Sequence, residues 1–257
     1  MTSDPKHTGD LRFSDLNLDK RLLDAITAIG FEYCTPIQAE TLPWTLACED
    51  LIGQAQTGTG KTAAFLITAI QSLLETPIPE KDRFASEPRV LALAPTRELA
   101  MQIEDNILGY TKGMKLFSVT LFGGVSQHRQ VQKLRRGVDI VVATPGRLLD
   151  FTGRRDLYLD HIEVLVLDEA DRMLDMGFIP QVKRIVRQTP KKDYRQTLLF
   201  SATFTQDIIN LSEQWTYHPV KVEIEPEHTA ADTVDQKVYM VSSEQRYRVL
   251  VNLLRSD

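Results

Sequence analysis

The strongest chemical signal lies in Gln54-Ala55-Gln56-Thr57-Gly58-Thr59-Gly60-Lys61-Thr62. Gly58 and Gly60 let the backbone turn so that successive N–H groups converge on an anion. The apolar run Leu51-Ile52-Gly53 precedes this loop, and residues 63–74 follow it with a helical pattern. A helix N-terminus beside the loop adds partial positive charge, worth ~0.3–2 kcal/mol to a bound anion. Lys61 would then hold the β- and γ-phosphates of a nucleoside triphosphate, and Thr62 would offer its hydroxyl to Mg²⁺. The stretch departs from the strict phosphate-loop pattern at one position, where Ala55 replaces glycine.

A second signal is Val164-Leu165-Val166-Leu167-Asp168-Glu169-Ala170-Asp171, four apolar residues ending in two adjacent carboxylates. In an open α/β sheet, ligands sit beyond the strand C-termini, so Asp168 is expected at the same edge as Lys61. One carboxylate there suits Mg²⁺, usually through water, because this cation takes the rest of its shell from phosphate oxygens and solvent. Glu169 is placed to orient or deprotonate an attacking water, a contribution of ~10²–10⁴-fold. Taken alone, the acidic pair also reads as an ordinary helix N-cap.

Positioning these groups requires strands and helices in alternation. Short apolar runs recur at 51–53, 90–94, 117–122, 140–143, 164–167 and 197–200, with amphipathic spacing at 99–108 and 179–187. Near-continuous apolar runs indicate strands buried on both faces. The expectation is an α/β fold, an open and mostly parallel sheet flanked by helices on both faces. Residues 77–88, with three prolines, read as an exposed loop. Residues 1–10 read as a tail, 11–225 as the main domain and 226–232 as a linker. Within 233–257, residues 234–241 suggest a strand and 246–254 a helix, which is the start of a second domain that the chain does not complete.

The 257 residues carry 42% hydrophobic and 25% charged side chains and a net charge of −5. These values exclude a disordered or collagen-like chain and argue against a simple polycationic nucleic-acid binder. Two cysteines, Cys34 and Cys48, support neither a disulfide framework nor a zinc cluster. No apolar run approaches the roughly 18 residues of a membrane span, and the polar N-terminus has no signal-peptide core. The expected location is cytoplasmic, with no membrane partner.

Further motifs lie in order along the chain. Gly30-Phe31-Glu32-Tyr33-Cys34-Thr35-Pro36-Ile37-Gln38 follows an isolated Phe13. Pro95-Thr96-Arg97-Glu98-Leu99, Gly123-Gly124, Thr144-Pro145-Gly146-Arg147 and Ser201-Ala202-Thr203 each follow an apolar run. With Ala55 to Thr62 and Asp168-Glu169-Ala170-Asp171, this ordered set resembles the DEAD-box RNA helicases of superfamily 2, and Arg172-Met173-Leu174-Asp175-Met176-Gly177-Phe178 resembles the bacterial members especially. In that family alanine is normal at the position of Ala55.

The resemblance implies a RecA-like nucleotide-binding domain that uses ATP and Mg²⁺. Gln38 would pair with N6 and N7 of adenine, a pattern guanine lacks, and Phe31 would stack on the ring. Core packing is the competing reading for Phe31 and Phe13. Pro95, Thr96, Arg97, Gly123, Gly124, Thr144, Pro145, Gly146 and Arg147 would grip RNA through phosphate and sugar, without reading bases. Arg129, Lys133, Arg135 and Arg136 either widen that surface or form a solvated face. Asp171, Ser201 and Thr203 would couple nucleotide state to domain closure, with hydroxyls bonded to Asp168 or Asp171. In the family a second domain of the same chain adds RNA contacts and arginine fingers, so these 257 residues are expected to bind nucleotide but hydrolyse it poorly. An ATP-gated RNA clamp within a protein complex acting on RNA is the rival reading, and a DNA helicase a more distant one.

Overall fold

The computed structural model describes residues 11–79, 85–224 and 239–255. These fall into two units, one within 1–225 and one within 226–257. The first unit contains seven strands: β1 (Leu51–Gln54), β2 (Val90–Leu93), β3 (Ser118–Leu121), β4 (Ile140–Ala143), β5 (Val164–Leu167), β6 (Gln196–Ser201) and β7 (Val220–Glu223). They form one sheet in the order β3-β4-β2-β5-β6-β1-β7, and every neighbouring pair is parallel.

The period of two along each strand divides the core between the two faces. Val90, Ala92, Val164 and Val166 enter one apolar cluster, whereas Leu91, Leu93, Leu165 and Leu167 enter the other. The first cluster is covered by α1 (Lys20–Ile29), α2 (Pro36–Thr45), α3 (Lys61–Glu75) and α4 (Arg97–Tyr110). The second is covered by α6 (Pro145–Gly153), α7 (Ala170–Asp175), α8 (Ile179–Val186) and α9 (Gln206–Trp215), with α5 (Gln127–Leu134) contributing Leu134. Helices on both faces explain why the strands do not alternate apolar with polar: both sides of each central strand are buried. Gly53 is needed in β1, because a Cβ there would lie 2.8 Å from the ring of Phe200 on β6.

The six expected strands are all present, and the helix read over 63–74 begins two residues earlier, at Lys61. The seventh strand, β7, was not anticipated. It pairs with β1 at an open edge and buries only Val222, so Val-Lys-Val-Glu lacks the continuous apolar run of its neighbours. Phe117 lies outside β3 and is half exposed.

In the second unit the helix expected at 246–254 is α10 (Arg246–Leu253). The strand expected at 234–241 lies mostly outside the described residues, and its described part, 239–241, forms no strand. The expected tail 1–10 and the linker 226–232 also lie outside the described residues.

Candidate active site

A sheet of parallel strands puts every strand C-terminus on one edge, and every expected motif except Gly30 to Gln38, which joins α1 to α2, leaves the sheet there. The loops after β1, β5 and β6, which are neighbours, carry Gln54 to Thr62, Asp168 to Asp171 and Ser201 to Thr203. The loops after β3, β4 and β2, also neighbours, carry Gly123-Gly124, Thr144 to Arg147 and Pro95 to Arg97. The fold therefore divides the edge into two halves, one carrying the phosphate-loop and acidic motifs and the other the three motifs expected at RNA.

On the first half lies a cleft of about 530 Å³, within the range of small-molecule pockets. Phe31, Gln38, Thr57, Gly58, Gly60, Lys61, Thr62, Asp168 and Glu169 all line it. Lys61 is the first residue of α3 and is 6% exposed, and its ammonium donates to the Ala55 carbonyl at 2.5 Å. Gly60 has φ +99°, and a Cβ there would meet Gln38 Nε2 at 2.5 Å and Thr35 Oγ1 at 2.7 Å. Only glycine fits. Gln56 and Thr59 do not line the cleft; the Thr59 hydroxyl donates to the Gln56 carbonyl at 2.8 Å and braces the loop. Their side chains stay outside the cleft, which is compatible with the expectation that the loop offers its backbone N–H groups.

Asp168 is 2% exposed, and burial lifts its carboxyl to about 6 against the opposing pull of the Lys61 ammonium. One of its oxygens accepts from the Glu169 N–H at 2.9 Å. Glu169 has a left-handed backbone, φ +52°, strained for a residue with a side chain. Its carboxylate accepts from Arg172 at 3.2 Å. Among the described residues no group of three or more His, Cys, Asp or Glu side chains could hold a metal ion. A cation near Thr62 and Asp168 would take most of its ligands from phosphate and water, the arrangement Mg²⁺ prefers. The donor set therefore fits that ion.

The raised Asp168 value has a stability consequence with a definite sign. The folded protein binds this proton more tightly than the unfolded chain, so the associated stability is full below the ordinary value near 3.8 and is lost as pH rises through about 6. Asp168→Asn should therefore gain on the wild-type ligand-free protein across that interval. Thermal unfolding at pH 4 and pH 7 checks it: the wild-type deficit should be larger at pH 7.

Gln38 is buried in α2. Its Oε1 accepts from the Thr35 N–H at 2.9 Å, and its Nε2 donates to the Gly60 carbonyl at 3.1 Å. The same side chain thus caps a helix and tethers the phosphate loop. One N–H and one carbonyl lone pair remain, the complement of adenine N7 and N6. Phe31 lines the cleft and is 45% exposed, in agreement with a stacking surface. Phe13 is 2% exposed and belongs to the core, so its packing reading prevails.

Asp171 bridges the loops after β5 and β6. Its Oδ2 accepts from the backbone N–H of Ala202 and Thr203, both at 3.1 Å, and from the Thr203 hydroxyl at 3.3 Å. Ser201 departs from expectation. Its hydroxyl donates to the Thr203 carbonyl at 2.8 Å and reaches neither carboxylate.

On the other half, Thr96 caps α4 by accepting from Leu99 N–H at 3.2 Å. Arg97 is exposed and lies over the Phe122 ring at 4.9 Å, close to Gly124. Gly123, Gly124 and Gly146 are exposed, whereas Pro95 and Pro145 are buried where helices begin. Arg147 departs from a direct backbone grip: it donates to the carbonyls of Phe122 and Val125 at 3.1 and 2.7 Å. It holds the Gly123-Gly124 loop in place. Arg129, Lys133, Arg135 and Arg136 are all exposed.

Sequence reasoning missed one wall of the cleft. Leu99, Gln102 and Asn106 line it from α4, and their spacing of three and four puts them on one helix face. That spacing was visible, but nothing in it distinguished a cleft wall from a solvated face.

Residues 35–211 match the DEAD/DEAH box helicase family model. The chain is 58% identical over 250 residues to an ATP-dependent RNA helicase RhlB of Pseudomonas aeruginosa (strain UCBPP-PA14), covering 97% of this chain and 63% of that protein. It is 41% identical over 251 residues to one from Shewanella baltica (strain OS155 / ATCC BAA-1091), covering 98% and 57%. Among solved structures it resembles a DEAD box protein from the hyperthermophile Methanococcus jannaschii. The TM-score is 0.75 at 34% identity, covering 95% of this chain and 63% of that one. The chain thus spans less than two thirds of the length of these relatives.

Proposed function

The chain belongs to the DEAD/DEAH box helicase family, and on that premise we propose that it is the ATP-binding part of an ATP-dependent RNA helicase. The observation that carries the reading is one cleft lined by a phosphate-loop lysine, Lys61, and by the acidic pair Asp168 and Glu169. The Lys61 ammonium would leave the Ala55 carbonyl for the β- and γ-phosphates. The loop N–H groups and the α3 N-terminus would hold the remaining phosphate oxygens. Mg²⁺, held by Thr62 and through water by Asp168, would neutralise developing charge when bound. Glu169 would align and deprotonate the attacking water, its carboxylate kept in place by Arg172.

The RNA-facing half would bind phosphate and ribose through exposed glycine amides, helix N-termini and Arg97, and so without base specificity. Asp171 would help couple nucleotide state to domain closure, a role supported by its contacts with Ala202 and Thr203, which tie the acidic loop to the loop after β6. A second domain of the longer protein would supply the γ-phosphate with arginine fingers, worth ~10³–10⁵ in rate in other NTPases. Closure of the two domains on one strand would open a short duplex. No helix among the described residues is long and apolar enough to cross a membrane. A clamp that holds RNA within a protein complex would use the same cleft, and measured strand separation distinguishes it.

Base selectivity tests the cleft assignment. This chain should bind Mg²⁺–ATP in preference to Mg²⁺–GTP. Gln38→Ala should narrow that preference by roughly 10-fold or more, as expected for a bidentate pair worth ~1–3 kcal/mol. Calorimetric titration of both nucleotides reads it. Unchanged selectivity in the variant would reduce Gln38 to its helix-capping and loop-tethering roles.

A further inference from the structure

A second cavity, of about 510 Å³, opens at the edge of the sheet opposite the nucleotide cleft. It lies among the end of α8, residues 187–195 and the end of α9. Arg195 immediately precedes β6, and Ser201 ends that strand. Six residues of extended chain, ~20 Å, therefore separate this cavity from the catalytic edge.

Five basic side chains line it, Lys183, Arg187, Lys191, Lys192 and Arg195, against a single carboxylate, Asp193. In a chain of net charge −5 this is a strong local reversal of sign. The fold itself uses only part of that charge. Lys192 donates to the Glu213 carbonyl at 3.1 Å, and Arg195 donates to the carbonyls of Pro190 and Trp215. Lys183, Arg187 and Lys191 make no side-chain hydrogen bond or ion pair with any described residue. Arg195 is 7% exposed, yet its Nε–H has no acceptor. Asp50, the carboxylate whose charge reaches Arg195, has both oxygens engaged by the N–H groups of Thr197 and Tyr217.

We propose that this cavity is a second anion-binding site, one that takes phosphate groups. Three uncommitted cations and a buried guanidinium around a small concave volume match an anion of high charge density. The Arg195 guanidinium, held by the Pro190 and Trp215 carbonyls, adds fixed positive charge behind these cations. An oligophosphate supplies that density, either as consecutive phosphates of an RNA backbone or as a free polyphosphate chain. The residues belong neither to the phosphate loop nor to the strand-end surface, so the site stands apart from the proposed ATP and RNA contacts.

The tryptophan inventory provides a local test. The chain has two tryptophans, Trp44 and Trp215, and Trp215 lines the cavity. In a Trp44→Phe protein, Trp215 fluorescence is followed at saturating ADP and Mg²⁺, so that the first cleft is filled. The probes are inorganic tripolyphosphate and a short oligouridylate. The expected result is a saturable change that weakens at least about tenfold when Lys183→Glu, Arg187→Glu and Lys191→Glu are added. A response to oligouridylate identifies nucleic-acid backbone as the source, and a response to tripolyphosphate alone identifies a small oligophosphate. If the triple variant does not fold, Lys191→Glu alone, at an exposed loop position, should weaken binding by a smaller factor. No saturable change, equal affinity in the charge-reversed protein, or tighter binding of an oligoglutamate than of either phosphate probe overturns the proposal.

Discussion

Glu169→Gln in the full-length protein should leave Mg²⁺–ATP binding intact and lower hydrolysis by roughly 10²–10⁴-fold, the usual worth of a positioned general base. The substitution keeps side-chain length and removes the basic oxygen. The amide can still accept from Arg172, so the contact that orients residue 169 survives. The left-handed backbone at this position is shared by both proteins, and the cost of that conformation does not change. A large loss of turnover with retained binding, read by steady-state hydrolysis beside calorimetry, assigns Glu169 to the water. Wild-type turnover would remove it from that role.

Lys61→Ala should have the opposite signature, a loss of nucleotide binding. Lys61 is 6% exposed and lines the cleft, and its ammonium donates to the Ala55 carbonyl. Charge-assisted hydrogen bonds are worth ~1.5–3 kcal/mol each, so affinity should fall roughly 10- to 100-fold. A second effect acts in the same direction. The Lys61 ammonium opposes the burial that lifts Asp168; without it the carboxyl rises further and offers less negative charge to a cation. Calorimetric titration of Mg²⁺–ATP measures the sum, and unaltered affinity would exclude Lys61 from phosphate binding.

The central part of the fold was legible because its physics is written locally. Six strands buried on both faces leave apolar runs that need no partner information to recognise. β7 escaped because it buries only Val222 and reads as polar text. The phosphate loop and the acidic strand end were legible for a related reason, since each combines a backbone requirement with a charge at fixed spacing. What the sequence concealed was which partner a polar side chain chooses. Arg147 could grip phosphate or hold a loop, and the carbonyls of Phe122 and Val125 decide the matter only once β3 and α6 are adjacent. Ser201 and Thr203 look equivalent as neighbouring hydroxyls. The final residue of β6 turns one toward the Thr203 carbonyl while the other reaches Asp171. The α4 wall of the cleft, which beyond Leu99 carries no motif, and the basic cavity before β6 likewise exist only in three dimensions.

On the proposed reading, this cleft serves an RNA-dependent ATPase whose chemistry needs the second domain of the longer protein. The most direct measurement is steady-state ATP hydrolysis by the full-length protein without nucleic acid, with RNA and with DNA of matching sequence, using the 257-residue chain as the control. The expected result is stimulation by RNA alone, with little turnover and little stimulation in the 257-residue chain. Equal stimulation by DNA, or robust RNA-stimulated turnover by the 257-residue chain on its own, would contradict it.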